Sequence, residues 1–345
     1  MPIGGSDRRQ FLAGMSICLA GLPTCVFASQ ESPPHFSDRH RKAISNGLAA
    51  LANRVQDDGS FGQTPYQQNL AVVSLGGLAF LANGHLPDRG PYGKQVSRIV
   101  DFVLQHAQQN GLIGVAREGV RGVMYGHGFA TLFLGQIYGA TRQREIRPAL
   151  SNAVKLIVST QNDEGGWRYE PIKKDADISV TVCQTMALRA ARNAGVFVAK
   201  ETIQKARDYV LNLQNEDGGF RYVSQAGESA YPRTGAAVVA LSSLGVKQQD
   251  IFASAGVYLM EHIPTPSEYA GNPHYFYGQY YAAHALWQIG GENWGKWYEQ
   301  VGGLLLKKQT AGGVWEDESV CDEYATAMAC LILSMPKSYL PLLRK

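Results

Sequence analysis

One short phrase recurs along this 345-residue chain and constrains most of what it can fold into: a Gln, two or three residues, a Gly, one residue, then an aromatic. It reads Gln56 to Gly59 and Phe61, Gln108 to Gly111 with Ile113 in the aromatic place, Gln161 to Gly165 and Trp167, Gln214 to Gly218 and Phe220, and Gln309 to Gly313 and Trp315. The glutamines are spaced by 52, 53, 53 and 95 residues. The last interval is almost two periods, so a degenerate copy is expected at Glu261-His262-Ile263-Pro264, giving six repeats of about fifty residues. Much of the chain's unusual glycine content, 38 residues, is thereby punctuation. Asn, Asp and Gly close a turn with the glycine at positive φ, and the Gln amide can satisfy the loose backbone groups of a helix end.

Before each phrase runs an amphipathic helix, as in Lys200–Leu213, where Ile203, Ala206, Val210 and Leu213 fall three or four apart. About ten residues after each phrase comes a helix of small and apolar residues, as in Gly235–Leu244, Ser179–Leu188 and Tyr324–Leu333. A helix apolar nearly all round must be covered on every side. Six alternations of wet and buried helices predict an all-α protein, an (α/α)6 toroid with an inner and an outer ring. An open solenoid of helix pairs satisfies the same periodicity without closure.

The repeated phrase resembles the QW repeat of squalene and terpenoid cyclases, which also recurs in protein prenyltransferase β subunits. The likeness runs from about residue 43 to 340, and the copies ending at Trp167 and Phe220 follow the family pattern most closely. It implies the toroid fold more strongly than any one reaction, since sites vary on a shared scaffold. The chain has residues for one toroid, where a squalene cyclase has two helical domains.

Domain boundaries follow. Ser6-Asp7-Arg8-Arg9-Gln10-Phe11-Leu12, an apolar stretch and Val26-Phe27-Ala28-Ser29 read as a twin-arginine export signal over residues 1–28, cut after Ala28, so a periplasmic or otherwise exported location is expected. Residues 29–42 then form a short linker and residues 43–345 one toroid domain. The 32 basic against 29 acidic residues give a net charge of +3, with no clustered positive charge, which excludes a phosphate-tracking nucleic-acid binder. Beyond the leader no apolar run is long enough to span a bilayer, leaving at most a peripheral membrane contact. Past residue 28 the cysteines are Cys183, Cys321 and Cys330, an odd number without a paired motif, so no disulfide framework is indicated.

If the inner helices are parallel, their N-termini open at one mouth and the chemistry sits just before each of them. That position holds Gln67-Gln68-Asn69, Tyr125 and His127, Asp175 and Asp177, Tyr231 to Arg233, His274 to Tyr277 followed by Tyr280 and Tyr281, and Cys321-Asp322-Glu323-Tyr324. Similarity to class II cyclases, which carry D-x-D-D-T, makes Asp177 the counterpart of the acid that protonates an alkene or epoxide. Ile178 stands where the family has its third aspartate. Such an acid needs a neutral carboxyl in a dry pocket. Asp177 or Ser179 equally suits a helix N-cap.

Asp177, Asp175, His127 and Glu323 are therefore the candidate catalytic residues. Tyr125, Tyr231, His274, Tyr277, Tyr280, Tyr281, Cys321, Asp322 and Tyr324 are the candidate pocket wall, whose ring faces can stabilise a carbocation. The prenyltransferase likeness raises zinc, with Cys321, Asp322, His127 and His274 as the available ligands. The Asp-x-Cys order is missing, as is a diphosphate-binding DDxxD, so no cofactor is expected. The sequence points first to acid-catalysed binding or conversion of an isoprenoid-like apolar substrate. Two alternatives stand beside it: a non-catalytic binding or scaffold protein, and an (α/α)6 carbohydrate-active hydrolase or lyase using paired acids such as Asp177 with Glu323 or Asp322.

Overall fold

The structure is a computed structural model, and it describes residues 36–62, 65–114, 122–269 and 271–337. The leader over 1–28 and the start of the expected linker lie outside the described residues. Twelve α-helices follow in order: α1 (Asp38–Arg54), α2 (Leu70–Leu81), α3 (Gly93–Gln105), α4 (Val123–Ile137), α5 (Ile146–Thr160), α6 (Ile178–Asn193), α7 (Lys200–Leu211), α8 (Tyr231–Ser243), α9 (Gln249–Glu261), α10 (Tyr275–Ile289), α11 (Gly291–Lys308) and α12 (Asp322–Ser334). No strand forms among the described residues, only isolated bridges such as Gln214 with Phe220. Asp38–Lys42, expected in a linker, are the first turn of α1, with Phe36 already buried ahead of it.

The even-numbered helices form the inner ring: α2 packs on α4, α4 on α6, α6 on α8, α8 on α10, α10 on α12, and α12 back on α2. The odd-numbered helices lie outside them, and α1 packs against α12 as well as α2. The protein is thus a closed (α/α)6 toroid, and the open solenoid is excluded. Composition explains the layering. Inner α8 buries ten of its thirteen residues, whereas outer α7 buries only Thr202, Ala206, Tyr209 and Val210 along one stripe. Inner helices approach closely because their contact residues are small. A Cβ on Gly235 would lie 2.8 Å from the backbone nitrogen of Ala282 on the next inner helix.

The repeated phrase is the staple between neighbouring repeats. Gln161 donates from Nε2 to the Gly165 carbonyl (2.8 Å) of its own turn and to the Thr202 carbonyl (3.0 Å) in the next outer helix. Gln309 does the same with Gly313 (2.9 Å) and Ala43 (2.8 Å), so the last full copy of the phrase ties α11 to α1 and locks the ring shut. Trp167 and Trp315 are buried, and their indole nitrogens donate to the Ile157 and Leu305 carbonyls that end the preceding outer helices. The backbone amides of Trp167, Phe220 and Trp315 donate to Thr181, Thr234 and Thr326 on the inner helices. The copies at Gln161 and Gln309 therefore bond their own outer helix, their inner helix and the next repeat, and Gln214 likewise reaches Ser254 of α9, whereas Gln56 and Gln108 bond the Arg54 and Gly114 carbonyls of their own repeats. In the fifth repeat the phrase is lost, as expected near His262, and a short 3-10 turn at Pro266–Tyr269 takes its place.

Gly165 shows why the turn tolerates nothing larger. Its φ is +102° and a Cβ would meet the Lys205 carbonyl of α7 at 2.2 Å. Gly245 has a similar φ of +81° with nothing within 4 Å. Gly245→Ala should cost about 1–2 kcal/mol for the left-handed backbone alone. Gly165→Ala should cost at least about 2 kcal/mol more because it also pushes two repeats apart. Paired urea melts of the two variants measure the difference; equal losses would show that the turn does not hold the repeats together.

Candidate active site

The first turns of the six inner helices converge on a cavity of about 760 Å³. Its wall takes Leu70, Val72 and Leu75 from α2, Tyr125 and Phe129 from α4, Ser179 from α6, Arg233 from α8, Tyr277 from α10, and Tyr324 with Met328 from α12. The chain folds this way because each inner helix starts at the mouth with a residue that satisfies or tolerates the loose N–H groups. Asn69 accepts from the Ala71 and Val72 amides, Asp177 from the Val180 amide, and Pro232 in the first turn of α8 gives up no useful donor. The mouth residues were expected just ahead of the helices. Tyr231 and Tyr277 instead occupy the first turns of α8 and α10, α8 beginning four residues before its apolar run at Gly235; Tyr324, expected to open its helix, lies in the first turn of α12.

Of the proposed wall, Tyr125, His274, Tyr277 and Tyr324 line the cavity. Tyr231, Tyr280, Tyr281, Cys321 and Asp322 do not. Tyr231 is buried between α10 and α11, donating to Gln279 Oε1 (2.8 Å) and accepting from the Trp297 indole (2.8 Å). Tyr280 packs edge-on against Tyr281 and His284, and the Tyr281 hydroxyl meets Cys183 Sγ at 3.4 Å. Tyr280 and Tyr281 share the Tyr277 face of α10 but lie one turn deeper, where Tyr277 covers Tyr281 and His284 packs on Tyr280, so both are core packing. Cys321 is buried at the start of α12.

The candidate catalytic set separates. His127 is fully buried, and its Nδ1 accepts the Ile113 amide at 3.0 Å. It fills the place that Thr181, Thr234 and Thr326 fill in other repeats, so His127 is a repeat staple and leaves the catalytic set. Burial pulls its pKa down to about 4, against a smaller pull upward from the Ala153 carbonyl. Glu323 is also buried but turned outward, 3.0 Å from Arg54, with Asp322 3.6 Å from the same guanidinium. Neither lines the cavity, so Glu323 leaves the set as well. Asp175 is half exposed and stands 3.7 Å from Arg168.

Asp177 remains, in a different posture from the expected one. It caps α6 and is cut off from both solvent and cavity. Ser179 connects it to the cavity: the Ser179 hydroxyl lies 2.5 Å from Asp177 Oδ1 and 2.6 Å from the Tyr125 hydroxyl, and both Ser179 and Tyr125 line the wall. Asp177 Oδ2 is buried without a hydrogen bond, 3.6 Å from Arg168 Nε. Burial raises the Asp177 pKa, opposed by hydrogen bonds from Ser179 and Val180 and by Arg168. Cap and acid are therefore not exclusive readings of Asp177. The Tyr125 hydroxyl is itself held protonated, chiefly by burial and then by the Asp177 charge.

Several wall residues were not picked out from the sequence: Tyr66, Phe129, Tyr169, Tyr222 and Met328. Phe129 and Met328 stand one turn beyond Tyr125 and Tyr324, a spacing the sequence displays. Tyr169 and Tyr222 each follow the phrase aromatic by two, in Trp167-Arg168-Tyr169 and Phe220-Arg221-Tyr222, and their hydroxyls meet at 2.6 Å. No carboxylate is found among the described lining residues. The residues raised for zinc are dispersed among the core, an ion pair and the cavity wall. No cluster of three or more His, Cys, Asp or Glu fit to hold a metal occurs among the described residues, so they do not fit the metal. Likewise no described helix is long and apolar enough to cross a membrane.

The buried histidines give the molecule an acid limit. His127 and His284, with pKa values pulled by burial to about 4 and about 3, stay neutral in the fold but protonate near 6.5 when unfolded. The unfolded state then binds more protons, and stability is lost as pH falls from about 6.5 towards 4, by up to about 1.4 kcal/mol per pH unit for each histidine. His127→Gln, which can keep the Ile113 contact through its amide oxygen, should reduce the loss of stability between pH 7 and pH 5. Denaturant melts at both pH values check this; an unchanged loss would remove His127 as its source.

Comparison with known proteins gives three findings. Residues 27–204 and 197–268 match the prenyltransferase alpha-alpha toroid domain family. Over 187 residues the chain is 26% identical to drimenyl diphosphate synthase of Streptomyces showdoensis, covering 53% of this chain and spanning only 33% of that relative's length. Among solved structures it is similar to the type II terpene cyclase MstE from Scytonema bound to merosterolic acid A (TM-score 0.61, 13% identity, 88% of this chain and 99% of that one). It is equally similar to an alpha-1,6-mannanase of Salegentibacter with bound mannotriose (TM-score 0.62, 10% identity, 86% and 98%). At such identities the structural likeness is one of fold.

Proposed function

The chain belongs to the prenyltransferase alpha-alpha toroid family, and from that premise we propose that its central cavity binds an isoprenoid-like apolar substrate and converts it by acid catalysis. The observation that carries this reading is the character of the wall: aromatic and aliphatic side chains from α2, α4, α10 and α12, joined by Tyr169 and Tyr222, and no carboxylate among the described lining residues. Drimenyl diphosphate synthase and the MstE complex with geranylgeranyl dihydroxybenzoate supply the same direction from relatives. Glycoside hydrolysis needs two carboxyl groups flanking the bond to be cleaved. Here Glu323 and Asp322 are committed to Arg54, and Asp177 stands behind Ser179. The wall therefore favours the terpenoid reading over the glycan one.

Ser179 gives the proton a route to the cavity. In the structure the Ser179 hydroxyl donates to Asp177 Oδ1 at 2.5 Å; when Asp177 takes up a proton, a change that burial favours, the same contact reverses and the carboxyl donates to Ser179. The Ser179 hydroxyl proton can then turn to an alkene or epoxide at the wall while the carboxyl proton replaces it on Ser179. The resulting cation lies among Tyr125, Tyr169, Tyr222, Tyr277 and Tyr324, whose ring faces attract positive charge. Such a cation ends by losing a proton or by capturing a nucleophile.

Asp177→Asn separates acid from cap, because Asn caps about as well as Asp. Incubated with a panel of C15 and C20 isoprenoids and followed by mass spectrometry, the wild type should form cyclised or isomerised product. Asp177→Asn should lower turnover at least about a hundredfold, the scale of one general acid, without lowering Tm at neutral pH. Full activity in Asp177→Asn would sink the acid assignment; the absence of any product or thermal shift in the wild type would sink the substrate class.

The paired arginines at 8 and 9 support a place of action outside the cytoplasm. Replacing both, Arg8→Lys with Arg9→Lys, should leave the protein in the cytoplasmic fraction; unimpaired export of that variant would remove the twin-arginine assignment.

A further inference from the structure

We propose that the natural ligand of the central cavity carries an anionic head group, and that Arg233 is the residue that receives it. The inference rests on the reading that the cavity takes an apolar chain, and adds the chemistry of that chain's end. Arg233 is the only Arg, Lys, Asp or Glu among the described lining residues. Its Nε is shut off from water and has no hydrogen-bond partner, and it enters none of the ion pairs among the described residues. Asp217 and Glu228, which with Arg233 act electrostatically on Tyr258, do not come within 4 Å of it. Two other arginines close to inner-helix starts are treated differently: Arg54 is held by Glu323 and Asp322, and Arg168 by Asp175 and Asp177. Those two guanidinium groups stand within 4 Å of carboxylates, whereas Arg233, on the cavity wall, has no carboxylate within 4 Å among the described residues.

The position of Arg233 strengthens the point. It is the third residue of α8, whose first turn contains no acid. A cation in the first turn opposes the helix dipole and weakens the helix, so local stability gives no reason for it. The same dipoles make the place attractive to an anion, because six inner helices aim their positive ends at the mouth. A guanidinium among those ends offers charge-assisted, forked hydrogen bonds suited to a carboxylate or a phosphate. His274, at the start of α10, lines both this cavity and an adjoining recess of about 380 Å³, which share Ala230 and Pro232 as well. The head group then sits at the wall where the two spaces meet. The apolar chain runs inward past Tyr324 and Tyr125 to Met328 and Phe129, one helical turn deeper, or about 5.4 Å.

The test uses the full chain and four probes that differ in head or tail: farnesol, farnesoic acid, farnesyl diphosphate and inorganic diphosphate, each titrated calorimetrically. The wild type should bind the acid or the diphosphate ester at least about tenfold tighter than the alcohol, the scale of a charged hydrogen bond in a dry site. Which of the two is preferred assigns a carboxylate or a phosphate head. Arg233→Gln should bring the favoured anion to within about twofold of the alcohol and leave the alcohol's own Kd unchanged, while Arg233→Lys keeps part of the preference. Because Arg233 makes no stabilising pair, the Tm of Arg233→Gln should not fall. Equal binding of alcohol and anions by the wild type, or a preference that survives Arg233→Gln, overturns the head-group assignment and leaves the apolar reading standing. Arg233-dependent binding of inorganic diphosphate with no binding of any farnesyl probe keeps the anion site and overturns the apolar reading. No binding of any probe overturns both.

Discussion

Everything in this molecule depends on the contact between each turn glycine and the carbonyl edge of the next outer helix. An inner helix made of small apolar residues has no wet face, so it is stable only when outer and inner neighbours cover it all round. Neighbours can close that tightly only if the turn between rings takes no space. At Gly165 the absent Cβ would lie 2.2 Å from the Lys205 carbonyl, and the Gln161 amide spans the same junction. The staple thus sets the repeat spacing, the spacing sets the inner ring, and the inner ring sets how far apart the six mouths stand.

That geometry also sorts the polar residues by what they can do. A side chain in the first turn of an inner helix faces the mouth, the neighbouring inner helix or the outer ring, according to its position around the helix. Asp322 and Glu323 face outward to Arg54; Tyr324, one place on, faces the cavity. At α6 the acid is set one layer back and only Ser179 reaches the wall. Among the described residues the result is a cavity wall in which charge is scarce and aromatic surface plentiful, a setting in which each remaining polar group counts for more than it would in water.

The ring architecture was legible in the sequence because its signal is repeated: five copies of one phrase average out local accidents, and even the missing copy at His262 could be placed by counting. The site was less legible because its signals occur once each. Asp177, Tyr125, Tyr277 and Tyr324 stood out, but so did His127, whose place in the repeat is that of a threonine hydroxyl. Comparing the repeats position by position, Thr181, Thr234 and Thr326 against His127, identifies it as structural. The same comparison brings out Tyr169 and Tyr222 as a pair. Glu323 could not be placed that way, since its partner Arg54 lies 269 residues away.

The bond from Gln309 to the Ala43 carbonyl spans 266 residues of sequence. A ring that is joined across such a distance has no finished edge until its last repeat exists. Up to that moment α1 and α2 have no α12 to lie against, and the apolar flank of the first hairpin stays open to water. Contacts so remote in sequence form late and slowly, because a long loop must close before it is rewarded. The toroid is therefore a structure completed by its final seam, and its partly made forms are sticky, edge-bearing solenoids that must be kept apart until the seam is made.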